Sequence, residues 1–361
     1  MKKILFIIQR FHYSGAAKAM QIIANELSKL NKYEICIASY CNTSPCYPVE
    51  SNIKIMKGNH DFDIRGVKGK VNSLKNTYRI INEYNPDIII AFANNSSFYS
   101  ILSTLFKDNK VVVCERCDPY NENRLSLRFM RFFFRFAEGA VFQTEGARKY
   151  YKTLYKKSIV IPNIVDDKYR DYTIKPFKDR NDEINIFSRI EIKQKRHDIL
   201  IKAFNEIHKK YPKIIMNIYG DGPDEDKIKA LVKDYKIDDC VNFKGPTDKA
   251  LSILANSKFT ILSSDYEGIP NGVIDAMSIG IPVIATDTSP GGVRLLIDDG
   301  RNGYIVPCGD YMKIAEKANY LMSNPDIGDQ ISRESRKIVD VFSKDSIVEK
   351  WEQYLDMLII N

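Results

Sequence analysis

The chain has 361 residues, enough for two compact halves rather than one simple module. Hydrophobic residues make up 44% and charged residues 28%, which supports buried cores and excludes disorder, collagen and coiled coil as the dominant state. The 54 Lys and Arg against 46 Asp and Glu leave a net charge of +8, which favours nucleotides, phospholipid surfaces or nucleic acid as partners.

The start, Met1-Lys2-Lys3-Ile4-Leu5-Phe6-Ile7-Ile8, is basic like a signal peptide, but its apolar stretch is short and no small-residue cleavage site follows. It reads as a first buried strand. Short apolar runs then alternate with longer amphipathic stretches, the pattern of parallel sheets covered by helices. The runs predict strands at 4–8, 34–38, 53–56, 87–92, 111–114, 140–142 and 159–161, and a second set at 184–187, 214–219, 241–243, 259–262, 283–285 and 304–306. Polar residues 166–182, holding Pro176 and alternating charges, predict a linker. The expected organisation is an α/β protein of two doubly wound, Rossmann-like domains, 1–165 and 183–342, facing a central cleft. A last helix, 343–361, carries the only Trp, Trp351, and is expected to pack back towards the first domain.

The longest apolar runs, such as 88–93, fall far short of the ~20 residues that span a bilayer. Seven cysteines, an odd number, suit a reducing cytoplasm rather than a disulfide framework. Cys114 and Cys117 form a lone C-x-x-C, and the four histidines show no ligand spacing, so no metal or cofactor is expected. Asp61-Phe62-Asp63 reads as a solvated loop rather than a metal-binding triplet.

Open parallel sheets bind ligands at the carboxyl ends of their strands, so chemistry is sought in the loops that follow strands. After the first strand, Ser14-Gly15-Ala16-Ala17 opens a helix whose backbone N–H groups could meet a phosphate, although a tight turn with no ligand would look the same. In the second half Arg189 and Lys195 follow a strand, where two cations can neutralise a leaving diphosphate or simply form a solvated basic turn. The densest signal is 263–277. There Glu267 lies in a loop with Gly268, Ile269, Pro270 and Asn271, and Asp275 lies two turns into the next helix. Carboxylates so placed accept hydrogen bonds from paired hydroxyls of a ribose or hexose.

The ordered set Glu267-Gly268-Ile269-Pro270, Asp275-Ala276-Met277, 280–286 and 302–307 resembles the retaining glycosyltransferases of family 4 (group 1), with the GT-B fold. Ser188-Arg189, Gln194-Lys195-Arg196, 219–223 and Phe243-Lys244-Gly245 extend the resemblance over nearly the whole chain. It implies a nucleotide-sugar donor, with UDP expected, and a glycan or lipid-linked saccharide acceptor in cell-surface polysaccharide synthesis. It also implies transfer with retention and without a divalent metal. Glu267 would hold hydroxyls of the donor sugar, with backbone amides of Gly268, Ile269, Pro270 and Asn271 helping to fix that ring. Asp275 would hold the ribose, Arg189 and Lys195 the diphosphate, Gly15 would close from the first domain, and Gly245 would face the base. The sequence departs from the family at Asp275, where Glu is usual; at Lys18, where an acid is common; and at Arg116, near where many relatives place a histidine, so that Arg116 would take over that donor-sugar contact or the site would recognise a different sugar.

Residues 124–136 form a basic, aromatic amphipathic segment. At about 100° per residue Arg124, Arg128, Arg131 and Arg135 fall on one side, and Leu125, Phe129, Phe132, Phe133 and Phe136 on another. With Lys68, Lys70, Lys75 and Arg79 it suits an anionic membrane surface, placing the protein in the cytoplasm, peripheral to the inner face of the membrane. The other outcome is an aromatic face in the core with solvated arginines. A non-catalytic nucleotide-sugar-binding subunit is the alternative function. Nucleic acid is not expected as a partner, since no recognition helix or aromatic-basic platform is present.

Overall fold

The structure, a computed structural model, describes residues 1–12, 14–61, 66–121 and 124–360, of Ile360 the backbone alone. Phe62 and Asp63 of the acidic triplet therefore lie outside the described residues. Contacts divide the chain into two units, Met1–Ile164 with Lys344–Asn361, and Val165–Ser343.

The first unit is built on seven parallel strands: β1 (Lys2–Ile8), β2 (Tyr33–Ser39), β3 (Lys54–Lys57), β4 (Ile88–Phe92), β5 (Lys110–Glu115), β6 (Gly139–Phe142) and β7 (Ser158–Val160). Their order is β3-β2-β1-β4-β5-β6-β7. The central strand β1 pairs Ile4 with Ile35 on one side and Ile88 on the other. Helices cover the sheet, so the inner strands β1, β4 and β5 are continuous buried apolar runs rather than alternations, whereas β3 at one end, Lys54-Ile55-Met56-Lys57, is largely exposed. The helices are α1 (Gly15–Lys29), α2 (Gly66–Tyr84), α3 (Asn94–Thr104), α4 (Leu125–Phe133) and α5 (Glu145–Tyr150). Helix α1 starts where Ser14 Oγ accepts the Ala17 N–H at 3.3 Å, an N-cap.

The second unit repeats the plan with β8 (Asn181–Phe187), β9 (Ile215–Tyr219), β10 (Val241–Phe243), β11 (Ser257–Leu262), β12 (Val283–Thr286) and β13 (Tyr304–Val306), ordered β10-β9-β8-β11-β12-β13. Around them lie α6 (Ile192–Lys195), α7 (His197–Lys210), α8 (Glu225–Asp234), α9 (Ala250–Leu254), α10 (Asn271–Ser278), α11 (Gly292–Leu296), α12 (Tyr311–Ser323), α13 (Pro325–Arg336) and α14 (Ile338–Val341). In each sheet the strand order reverses beside the first strand, at β1/β4 and β8/β11, the switch points where open sheets leave a crevice.

Residues 166–182, read as a linker, are folded onto the second unit. Tyr169 and Phe177 are buried, and the buried Arg180 guanidinium donates to the carbonyls of Lys175 and Gly280 and to Ser332 Oγ. Burial pushes the Arg180 pKa down to about 10. The Lys258 ammonium closes the same knot on the carbonyls of Phe177 and Lys178. Arg180 thus hides in a segment whose composition reads as solvent-exposed.

Helix α15 (Lys344–Ile360) belongs to the first unit. Tyr354 Oη accepts the Ala140 N–H at 2.8 Å and donates to the Lys157 carbonyl at 2.7 Å, bridging β6 and the start of β7. A Cβ at Gly139 would sit 2.2 Å from that oxygen, so glycine admits the ring. Trp351 is fully buried.

The amphipathic segment resolves differently from either expected face. Leu125, Phe129, Phe132 and Phe136 are exposed, whereas Arg131 turns inward, its Nε 3.4 Å from the buried Glu115 carboxylate. Phe134, on the far side of the turn, fills the core instead.

Trp351→Ala should lower the unfolding free energy by about 3–5 kcal/mol, read from urea unfolding followed by circular dichroism. A loss below about 1 kcal/mol would show that α15 does not hold the first sheet together.

Candidate active site

In the second unit, β11 ends at Leu262 and the chain turns at once through Ser263 and Ser264. Tyr266 bridges to Ser289, and the Glu267 N–H donates to the Ser289 carbonyl at 2.9 Å, which fixes the loop beside β12. Glu267 is thereby held nearly buried, and its Oε1 accepts from Lys195 Nζ at 2.5 Å and from Ser264 Oγ at 2.8 Å. The Lys195 and Glu267 side chains are 22% and 10% exposed, so the pair is largely removed from water. Removing either partner would leave a costly uncompensated charge.

Lys195 ends α6, the short helix after β8, and a lattice of hydrogen bonds ties that turn to the β11 loop. The Asp265 N–H donates to the Gln194 carbonyl at 2.9 Å, Gln194 Nε2 to the Tyr266 carbonyl at 3.1 Å, and Ser263 Oγ to the Lys195 carbonyl at 2.8 Å. Arg196, at φ +51°, carries the chain from α6 to α7 and clamps Asp198 and Asp265. Its hydrogen bonds to Asp198 and Asp265 outweigh burial and raise its pKa.

On the β8 side Ser188 Oγ lies 3.1 Å from His197 Nε2. His197 is almost completely buried, and burial, reinforced by the Lys195 charge, pushes its pKa down to about 4. The imidazole is neutral at pH 7, so it fixes the serine hydroxyl without adding charge. The loop after β9 lies directly against this turn because Gly220, at φ +137°, has no Cβ, which would sit 2.2 Å from the Ser188 carbonyl oxygen.

Helix α10 opens at Asn271 on Pro270, which brings no side-chain cap. One turn on, Asp275 Oδ1 accepts a 2.6 Å hydrogen bond from the buried Tyr169 hydroxyl. Burial and the Asp275 charge raise the tyrosine pKa.

These groups enclose a cavity of about 300 Å³ at the β8/β11 switch point, lined by Ser188, Lys195, Glu267, Asn271, Gly272 and Asp275. It offers two carboxylates, one ammonium, and the positive end of a helix, a combination suited to hydroxyls and a phosphate group.

The structure thus brings together Lys195, Glu267, Ile269, Pro270, Asn271 and Asp275, with Gly268 in the same loop. Arg189 is not among the lining residues: its side chain is 65% exposed and lies 3.7 Å from Glu191. Gly245, at φ +70°, accepts the Gly220 N–H on its carbonyl at 2.9 Å, outside the lining. Gly15 and Arg116 belong to the first unit. Arg116 follows β5, donates to Asn163 Oδ1, and lies 5.5 Å from the Phe92 ring centroid. Burial lowers its pKa to about 10, and no carboxylate pairs with it among the described residues.

Sequence reasoning missed Ser264, His197 and Tyr169. Ser264 sits three residues before Glu267, a spacing that signals local side-chain bonding in a turn. Tyr169 is 106 residues from Asp275 and carries no comparable signal. Among the described residues no three His, Cys, Asp or Glu side chains are grouped to hold a metal. Cys114 of the lone C-x-x-C is buried, and burial pushes its thiol up to about 12.

Residues 170–338 match the family model for glycosyl transferases group 1. Over 366 residues the chain is 26% identical to an uncharacterized glycosyltransferase of Haemophilus influenzae, covering 98% of this chain and 100% of that one. It is 21% identical to the amylovoran biosynthesis glycosyltransferase AmsD of Erwinia amylovora, covering 99% and 100%. The crystal structure of Anabaena HepE in complex with UDP and glucose superposes with a TM-score of 0.80 at 18% identity, covering 99% of this chain and all of that one. The match to the group 1 glycosyl transferases thus lies within the second unit, and the chain has the GT-B fold.

The depressed His197 pKa links stability to pH. The folded state keeps the ring neutral down to about pH 4, whereas the unfolded chain takes up the proton near 6.5. This contribution is therefore fully present above pH 6.5 and falls as the pH drops towards 4, by on the order of 3 kcal/mol. His197→Gln should flatten that part of the fall in urea-unfolding series from pH 7 to 4.5. Equal slopes in both proteins would show that the ring is not held neutral.

Proposed function

We propose that the protein is a retaining hexosyl- or N-acetylhexosaminyltransferase that uses a UDP-sugar. Its acceptor is a glycan or lipid-linked saccharide in cell-surface polysaccharide synthesis. The observation that carries this reading is the Lys195–Glu267 pair facing the uncapped start of α10 across one cavity. The amylovoran relative and the UDP- and glucose-bound HepE neighbour support it.

In this reading Glu267 turns its carboxylate to hydroxyls of the donor sugar, while the backbone N–H groups of Gly268, Ile269 and Asn271 fix the ring. Lys195 and the α10 N-terminus meet the diphosphate, and the exposed Arg189 side chain swings from Glu191 to share it. Asp275 takes the ribose hydroxyls. Gly245 of the second unit carries a further donor contact that the family resemblance implies. The acceptor hydroxyl oxygen bonds to the anomeric carbon on the face from which the nucleoside diphosphate departs. Its proton passes to the departing phosphate oxygen. The protein supplies position and charge neutralisation, the terms that dominate such transfers. Lys195 and the helix end fill the place a divalent cation would take, so no cofactor is required and a chelator leaves turnover unchanged. The acidic and basic groups in one cavity favour catalysis over a non-catalytic subunit.

Glu267→Ala and Lys195→Ala should each lower kcat by about 100-fold or more, measured as nucleotide release from a panel of nucleotide-sugars with membrane extract as acceptor. Folding monitored by circular dichroism should persist. Near-normal turnover in both variants would overturn the assignment. Tyr169→Phe should raise KM for the donor about 5- to 10-fold with little change in kcat, because Asp275 loses the hydrogen bond that aims it. An unchanged KM would leave Tyr169 with a packing role only.

A further inference from the structure

The surface of the first unit carries an apolar stripe that folding leaves uncovered. Leu125, Phe129, Phe132 and Phe136 are 87%, 59%, 51% and 57% exposed. Their spacing of four, three and four residues puts them on one line along α4 and the turn that continues it. Helix α4 is anchored from the opposite side. Phe134 is buried in the sheet core, and Arg131 is drawn inward to Glu115 and to the Pro119 carbonyl. Phe133, beside the stripe, packs on Phe98 of α3 with ring centroids 5.3 Å apart. The helix is therefore held with four large apolar side chains facing solvent, a contiguous exposure that soluble surfaces rarely keep without use.

Charge sets the kind of partner. Arg124, Arg128 and Arg135 lie exposed along the flank of the stripe, and 124–136 contains no acidic residue. Arg135 stacks over Phe132, its guanidinium carbon 3.8 Å from the ring centroid, so cation and aromatic face the same medium. Helix α2, which shares α3 as a packing neighbour, exposes Val67 and Val71 beside Lys68 and Lys70. Apolar side chains that insert beneath a row of arginines match one environment: the headgroup boundary of an anionic bilayer, with rings among the acyl chains and guanidinium groups on the phosphates. No helix among the described residues is long and apolar enough to cross a membrane, so the attachment lies in the surface plane. We propose that α4 docks the first unit on an anionic lipid bilayer, with Leu125, Phe129, Phe132 and Phe136 inserted and Arg124, Arg128 and Arg135 on the headgroups.

The test is flotation of the full chain with vesicles of phosphatidylcholine alone and of equal parts phosphatidylcholine and phosphatidylglycerol, with no saccharide acceptor present. The wild-type protein should float with the anionic vesicles and not with the neutral ones, and high salt should release it. Phe129→Ser with Phe132→Ser, and separately Arg128→Glu with Arg135→Glu, should each weaken binding about ten-fold or more. Both variants should keep the wild-type melting temperature and UDP affinity, because none of these residues lies in the second-unit cavity. Failure of the wild-type protein to bind anionic vesicles would overturn the proposal, as would undiminished binding by both folded variants. So would a sedimentation result in which a wild-type dimer dissociates on the phenylalanine substitutions, since a second copy would then cover the stripe. Loss of vesicle binding with donor turnover intact separates this proposal from the reading of the active site.

Discussion

The second unit is organised around one contact, the ion pair between Lys195 Nζ and Glu267 Oε1. Parallel strands deliver both groups to the same edge of the sheet, β8 through α6 and β11 through its terminal turn. With most of its surface withdrawn from water, the pair needs its partners held in register. The surrounding bonds do this: Ser263 to the Lys195 carbonyl, Gln194 to the Tyr266 carbonyl, Arg196 to Asp265, and Ser264 to Glu267 itself. The cavity is therefore preorganised by backbone turns and by side chains already bonded to one another, so that little ordering is left for a ligand to impose. In the proposed reading, a donor entering it would exchange the Lys–Glu contact for hydroxyl and phosphate contacts within a lattice that already fixes both residues.

The second carboxylate is held by a different device. Asp275 stands where the family resemblance leads one to expect glutamate, and the Tyr169 hydroxyl reaches it from a segment knotted onto the unit through Arg180 and Lys258. One carboxylate oxygen accepts that bond, and Asp275 lines the cavity. The shorter side chain is thus aimed from behind.

The thirteen strands among the described residues were legible in the sequence as short apolar runs, clearest in the buried β1, β4 and β5 and weakest in the exposed β3. Glu267, Lys195 and Asp275 were legible because they fall in loops after such runs and in an ordered motif, although 72 residues separate the ion-paired groups. Tyr169 was not, because a single tyrosine in a polar stretch carries no period and its meaning arises only on packing. Residues 166–182 misled for the same reason: composition marks Arg180 as a solvent group, while backbone carbonyls and Ser332 bury it. In 124–136 the periodicity correctly announced an amphipathic helix but not which side faces in. That choice was made by Glu115, which draws Arg131 into the core and leaves the phenylalanine stripe outside.

The net charge of +8 is accordingly distributed between distinct tasks, with Lys195 in the cavity, Arg131 and Arg180 in structural knots, and an exposed arginine row on α4. The central claim is that Glu267 senses the sugar while the diphosphate is held by its neighbours. Calorimetric titration of UDP and of its best UDP-sugar into wild-type protein and Glu267→Gln tests it most directly. The account predicts that UDP affinity changes little, while the additional affinity contributed by the sugar is lost in the variant. Retention of that sugar increment in Glu267→Gln would contradict it.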